Sequence, residues 1–217
     1  GGWQLRFEKF IATIGHVEVH HATKTGLAAH DEDVYVVDLR SVPASGLPLW
    51  EIPDLRVGRW EFEYDVTGAA DGAIRHASVS SADYDAMRAV DASYLIAGDL
   101  HRDDGRSCPP PALATPGAAT PAGTNAAGHA CYANPTVSFE LLVPTETHYG
   151  PCELDGVPGF SISDGSTQAV AATIHGDHLA FNGFPEGDEG GRLGGRVVEG
   201  DGAEVLILGH PEQVRGG

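Results

Sequence analysis

The sequence predicts an all-β chain: an antiparallel β-sandwich or partly open barrel with one short helix and long loops. Three observations predict it. Apolar positions recur with a period of two along much of the 217 residues, which is the mark of half-buried strands. The 29 Gly and 14 Pro interrupt those runs at turn spacing and argue against long helices. Only one segment carries the cap and apolar spacing of a helix. No internal repeat and no boundary between domains is visible, so residues 1–217 read as a single domain.

The elements follow in order. Between residues 3 and 19 the odd positions hold Trp3, Leu5, Phe7, Ile11, Val17 and Val19, while Gln4, Arg6, Glu8, His16, Glu18 and His20 fill even ones. This gives one or two half-buried strands with a break near 13–15. Residues 34–39 (VYVVDL) suit an interior strand bounded by acids. The stretch 56–66 alternates most cleanly, with Trp60, Phe62, Tyr64 and Val66 on one face and Arg59, Glu61, Glu63 and Asp65 on the other. Ser81 is placed to cap a helix over 82–92, with Tyr84, Met87 and Val90 on one side. Strands follow at 93–100, at 136–143 with Val137, Phe139 and Leu141 inward, and at 168–175. A last pair, 196–199 and 203–208, flanks the turn sequence Gly200-Asp201-Gly202. Two loop excursions interrupt the pattern, a Pro/Ala/Gly-rich one at 109–130 and a Gly/Glu/Asp-rich one at 184–195.

The formal charge of −18, from 13 Lys+Arg against 31 Asp+Glu, excludes a nucleic-acid binder, because phosphate contacts need clustered basic residues. It equally disfavours anionic lipid surfaces. No apolar run reaches the roughly 18 residues needed to span a bilayer. The chain opens with neither a basic nor an apolar leader segment, so a signal peptide has been removed or none existed. Cys108, Cys131 and Cys152 have no C-x-x-C spacing, against zinc-ribbon and thioredoxin-like chemistry. One disulfide and one leftover thiol is the simplest arrangement. A Cys108–Cys131 bridge would close the 109–130 loop and stabilise by about 3 kcal/mol; Cys131 with Cys152 is the alternative. Disulfide use leads to the expectation of a periplasmic or extracellular protein whose signal peptide has been removed.

The compositional anomaly is histidine, 11 residues against only two lysines. His175-Gly176-Asp177-His178 lies between apolar runs, and Gly-Asp fits the centre of a type II′ hairpin loop. That turn would oppose His175 and His178 with Cβ atoms about 5 Å apart, and on a helical turn the pair would still share a side. Two imidazoles can hold Cu(II), Zn(II) or Ni(II), and a third ligand would complete a useful site. His16, Glu18, His20 and His21 form a second cluster, continuing toward His30. On a regular strand His16 and Glu18 share a face about 7 Å apart, whereas His16 and His20 are about 13 Å apart, too far for one ion. A solvated polar face is the plainer account of that cluster. His148 is a third candidate.

Catalytic signatures are missing. There is no G-x-S-x-G elbow, P-loop, dinucleotide fingerprint or H-E-x-x-H, so a non-enzyme is expected. Calcium is a side expectation, from hard oxygen donors at 186–190 and 199–202, although these lack the spacing of an EF-hand.

The segment Thr173-Ile174-His175-Gly176-Asp177-His178-Leu179-Ala180-Phe181 resembles one near the end of uncharacterised exported bacterial β-sandwich proteins. The opening strand and those at 36–39 and 59–64 are similar to theirs in order. More distantly the layout resembles the periplasmic methanobactin-partner copper-binding proteins, which pair with di-haem enzymes. The resemblance implies copper at His175 and His178. The departures are three cysteines where that family uses four, and a single methionine, Met87. Residues and resemblance together lead to an exported, non-catalytic metal-binding protein, copper first and zinc second, with His175 and His178 as ligands and His16, His20 or His148 completing the sphere. The alternative is a structural or accessory subunit of a cell-surface or extracellular assembly, with another exported protein as its partner.

Overall fold

A computed structural model of the chain describes residues 3–114, 119–151, 153–154, 157–174, 195–197 and 203–211. Its strands are β1 (Trp3–His21), β2 (Ala28–Asp31), β3 (Tyr35–Asp38), β4 (Leu47–Leu55), β5 (Gly58–Val66) and β6 (Ile74–Arg75). After the helix α1 (Ser81–Ala89) come β7 (Tyr94–His101), β8 (Arg106–Ser107), β9 (Tyr132–Ala133), β10 (Thr136–Val143) and β11 (Thr147–Tyr149). The remainder are β12 (Glu153–Leu154), β13 (Val157–Pro158), β14 (Phe160–Ile162), β15 (Gln168–Ile174), β16 (Gly195–Val197) and β17 (Ala203–Pro211). The fold class is therefore all-β, mostly antiparallel, with one short α-helix among the described residues.

The hub is β1. It pairs antiparallel with β2, β3 and β5 and parallel with β16, within a ten-stranded sheet whose main path runs β10-β7-β1-β3-β6. Where a break was expected near 13–15, the strand continues unbroken and absorbs one extra residue in a β-bulge. Ile14 faces Val66 and Gly15 faces Asp65, but the next pair is Glu18 with Glu63. His16 and Val17 thus stand opposite Tyr64 alone, the two-against-one count of a bulge. His16 takes the extra position at φ 50°, a left-handed conformation in which histidine is enriched among non-glycine residues.

Contacts divide the chain into two compact units. One takes residues 1–8, 97–140 and 176–201. It buries Leu5, Phe7, Ala97 and Cys131, and its Cys108 and Cys131 sulfurs are joined at 2.11 Å, closing the 109–130 excursion. The other takes residues 9–96, 141–175 and 202–217. Its α1 packs Met87 into a cluster with Ile11, Val36, Ala69, Val79 and Leu95. The helix starts one residue earlier than expected, with Ser80 as N-cap. The Ser80 hydroxyl accepts from the Asp83 backbone N–H at 3.1 Å and donates to the Asp83 carboxylate at 2.8 Å. That reciprocal capping needs an acid three residues after the cap.

A buried polar knot ties this second unit together. The Thr13 hydroxyl donates to Ala92 O at 3.2 Å, and Thr13 N–H donates to Ser93 O at 2.8 Å. The Ser93 hydroxyl lies 2.8 Å from Val143 O and 2.7 Å from Thr145 O, anchoring the chain just before β11. Both side chains are fully buried, so their hydrogen bonds act where water cannot replace them.

Two expectations are corrected. Val137 and Leu141 are 42% and 52% exposed, not inward. β10 stands at the end of its sheet path, and alternation buries a face only where a second layer covers it. Among the described residues, 196–197 and 203–208 pair with other strands and not with each other, and the turn at 200–202 lies outside the description. β16 lies parallel to β1, while β17 sits between β15, antiparallel, and β4, parallel. β4 escaped notice because Pro48 and Pro53 argue against a strand on sequence grounds.

Ser93→Ala should lower stability by about 0.5–1.5 kcal/mol, because Thr145 O loses its hydroxyl donor while the Ser93 N–H still donates to Val143 O. Met87→Ala should cost about 2–5 kcal/mol through the cavity it opens. Urea unfolding monitored by circular dichroism measures both, and unchanged midpoints would contradict this account of the core.

Candidate metal site

The bulge determines what the outer face of β1 and β5 carries. Beyond it Val17, Val19 and His21 are buried, and His16, Glu18 and His20 point to the opposite, solvent-facing side. On β5 the same alternation buries Trp60, Phe62, Tyr64 and Val66 and leaves Arg59, Glu61, Glu63 and Asp65 outside. In the register after the bulge Glu18 lies directly across from Glu63, and His20 from Glu61. On the far edge of β5, β11 places His148 across from Asp65.

Three strands therefore bring histidines and carboxylates to one surface. Ligand atoms of Glu18, His20 and Glu63 all lie within 4.8 Å of one another. His20 Nε2 is 3.4 Å from Glu18 Oε2. His148 bridges two acids, with Nδ1 2.8 Å from Asp65 Oδ1 and Nε2 3.4 Å from Glu63 Oε2. The second oxygen of Asp65 receives His16 Nδ1 at 3.2 Å, so one carboxylate joins the bulge histidine to the β11 histidine.

The surroundings hold Glu63 in place. A Cβ at Gly150, where φ is 151°, would lie 2.4 Å from Glu63 Cγ, so only glycine lets the chain after β11 close over this side chain. Glu146 accepts from the Thr67 hydroxyl at 3.0 Å and from Gly68 N–H at 3.4 Å, fixing the approach of β11. The Glu63 side chain is 21% exposed, against 59% for that of His148.

Of the residues singled out in the sequence, His16, His20 and His148 share this face. His175 and His178, Cys152 and the acidic stretches at 186–190 and 199–202 lie outside the described residues. His21 belongs to the core. Its ring packs edge-on against Trp60 with centroids 5.2 Å apart, and its Nδ1 accepts from Thr23 N–H at 3.3 Å. His30 is exposed on β2 across from Glu18 and 3.8 Å from Glu32. Glu63 and Asp65 escaped sequence reasoning. Their signal was the acid-lined face of 59–65 combined with His-x-Glu-x-His on β1.

The hydrogen bond to Asp65 pushes the His148 pKa above the ordinary histidine value. Desolvation is the next largest influence and opposes the rise, while the negative charges of Asp65 and Glu63 and the contact with Glu63 add to it. Because the folded-state value is raised, the attraction is fully present below the unfolded value and is lost as pH rises through the folded one. Asp65→Asn should therefore bring the His148 titration back toward the ordinary range, as followed by imidazole NMR. An unmoved titration would remove Asp65 as the cause. Gly150→Ala should displace Glu63 and lower the thermal midpoint by several degrees.

No family model, curated protein or solved structure matches the chain.

Proposed function

We propose that this is an exported, non-catalytic protein that binds a divalent transition-metal ion, zinc or copper, on the face shared by β1, β5 and β11. The observation that carries the reading is the convergence of Glu18, His20 and Glu63 within 4.8 Å. One imidazole with two carboxylates is a borderline-hard donor set suited to Zn(II), and Cu(II) accepts the same atoms. The register adds a second argument. Glu18 and Glu63 are directly opposed across the strands, and like charges in that position destabilise a sheet. A bound cation reverses the sign of that interaction. Export is supported by the Cys108–Cys131 pair, because disulfides persist in oxidising compartments. The copper expectation for His175 and His178 would add a second pair of imidazoles to the protein.

Calorimetric titration of metal-stripped protein with Zn(II) and with Cu(II) tests this. One ion per chain on this face is expected, with His20→Ala and Glu63→Gln each weakening binding by about 100-fold or more, since even residues behind a ligand are worth 10–100-fold. Acidification should weaken binding as protons compete for the ligands. No heat of binding with either ion would overturn the reading.

One observation favours the alternative, an accessory subunit of a surface assembly. β10 ends its sheet path with Val137, Leu141 and Leu142 at 42%, 52% and 38% exposed, and an apolar edge is a template for pairing with another chain. A persistent large complex in size-exclusion of native extracts, with no metal in the purified chain, would support it.

A further inference from the structure

Three protein ligands do not fill the shell of a four-coordinate ion, and on this face the next position opens to solvent. We propose that the Glu18–His20–Glu63 site leaves one coordination position for a donor from outside the chain. That position takes a neutral nitrogen ligand of the imidazole type and turns anions away. The inference rests on the metal-binding reading above and specifies what the bound ion accepts.

Among the described residues, the ligand atoms that all lie within 4.8 Å of one another stop at these three. The other outward imidazoles are held by other partners. His148 stands across from Asp65 on the far side of β5, with Nδ1 2.8 Å from Asp65 Oδ1, and belongs outside the mutually close set. His16 Nδ1 is 3.2 Å from the second oxygen of the same Asp65. His30 lies across from Glu18 on β2, but its Nε2 is 3.8 Å from Glu32. The trio itself is open to water, with the His20 and Glu18 side chains 40% and 46% exposed. A zinc ion with three protein ligands keeps its fourth position for an outside molecule, whereas four protein ligands close the site.

Charge decides which donor can enter. Two carboxylates and a neutral imidazole cancel the charge of a divalent ion. Beyond them the same face carries Glu61, directly across from His20, and Asp65, within a chain of net charge −18. Arg59, the cation on this face of β5, is turned aside and donates to Ser161 Oγ at 3.3 Å and Gly159 O at 3.1 Å. An anion approaching the ion therefore meets carboxylates that its own charge repels, and a neutral donor meets no such penalty. Hydrolytic centres need the opposite field, one that favours developing negative charge, so the open position suits binding and not hydrolysis. Two copies of the chain repel each other by the same charge, which assigns the donor to a different molecule.

The probes are Co(II) as the ion and free imidazole and azide as outside donors. In the Co(II)-loaded chain at about pH 8, where imidazole is neutral, imidazole should shift the visible bands saturably, one per ion, with cobalt retained on dialysis. Azide should bind more weakly than imidazole at low ionic strength. Glu61→Gln should raise the azide affinity by about 3–5-fold, the effect of one charge a few ångströms away in water, and leave that of imidazole unchanged. Bands that stay fixed in saturating imidazole while cobalt remains bound would show a closed shell and overturn the proposal, as would release of cobalt with no intermediate spectrum. Azide binding as tightly as imidazole, with no response to Glu61→Gln, would overturn the selectivity. A zinc-dependent dimer in size-exclusion that imidazole dissolves would place the donor on a second copy and overturn its assignment to a different molecule. If the metal-stripped chain takes up neither Co(II) nor Zn(II), the metal-binding reading itself falls.

Discussion

One inserted residue governs how β1 and β5 meet. With His16 and Val17 set against Tyr64 alone, every later position on β1 changes faces relative to a regular ladder. Without the insertion Glu18 would face Phe62 in the interior, and Val17 would lie on the acid-lined side. The bulge thus gives Val17 and Val19 their burial and releases the polar trio of β1 to solvent. It costs one residue a left-handed backbone, at φ 50°. Bulges are common where a side chain has to be re-aimed next to a functional site, and this one turns His16 toward Asp65.

The surface so formed mixes donors whose charges compensate in part. Glu18, Glu63 and Asp65 would repel on adjacent strands, and His16, His20 and His148 are interleaved with them. Each exposed pair is worth little alone, because solvent screens it. Their spacing carries the significance, since contacts of 2.8 to 3.4 Å recur on both sides of the same strand. The overall charge of −18 adds a long-range field that raises the local concentration of cations at low ionic strength.

The alternation of 59–66 was legible because one face is buried and the other wet, which is the condition under which a strand displays its period. β10 shows the converse. Val137, Phe139 and Leu141 have the same pattern, yet Val137 and Leu141 are exposed, since periodicity reports the side chain's face and not what covers it. The candidate trio takes only His20 of the two outward histidines of β1, with Glu18. Convergence comes from across the ladder, through Glu63, and no reading of β1 alone contains that partner. Asp65 and Glu63 were hidden among 31 acids, a background in which carboxylates carry almost no information until strand register is known.

β5 is also a thin partition. Its even side chains form an aromatic ladder behind the ligands: Phe62 and Tyr64 stack with centroids 6.3 Å apart, and Tyr64 with Tyr149 at 5.1 Å. Trp60 closes the row, its indole N–H donating to Arg56 O at 2.9 Å. Whatever occupies the imidazole face therefore sits one backbone away from an indole and two phenols. The molecule carries its own optical reporter, and an open-shell ion such as Cu(II) would darken its ultraviolet emission where closed-shell Zn(II) would not.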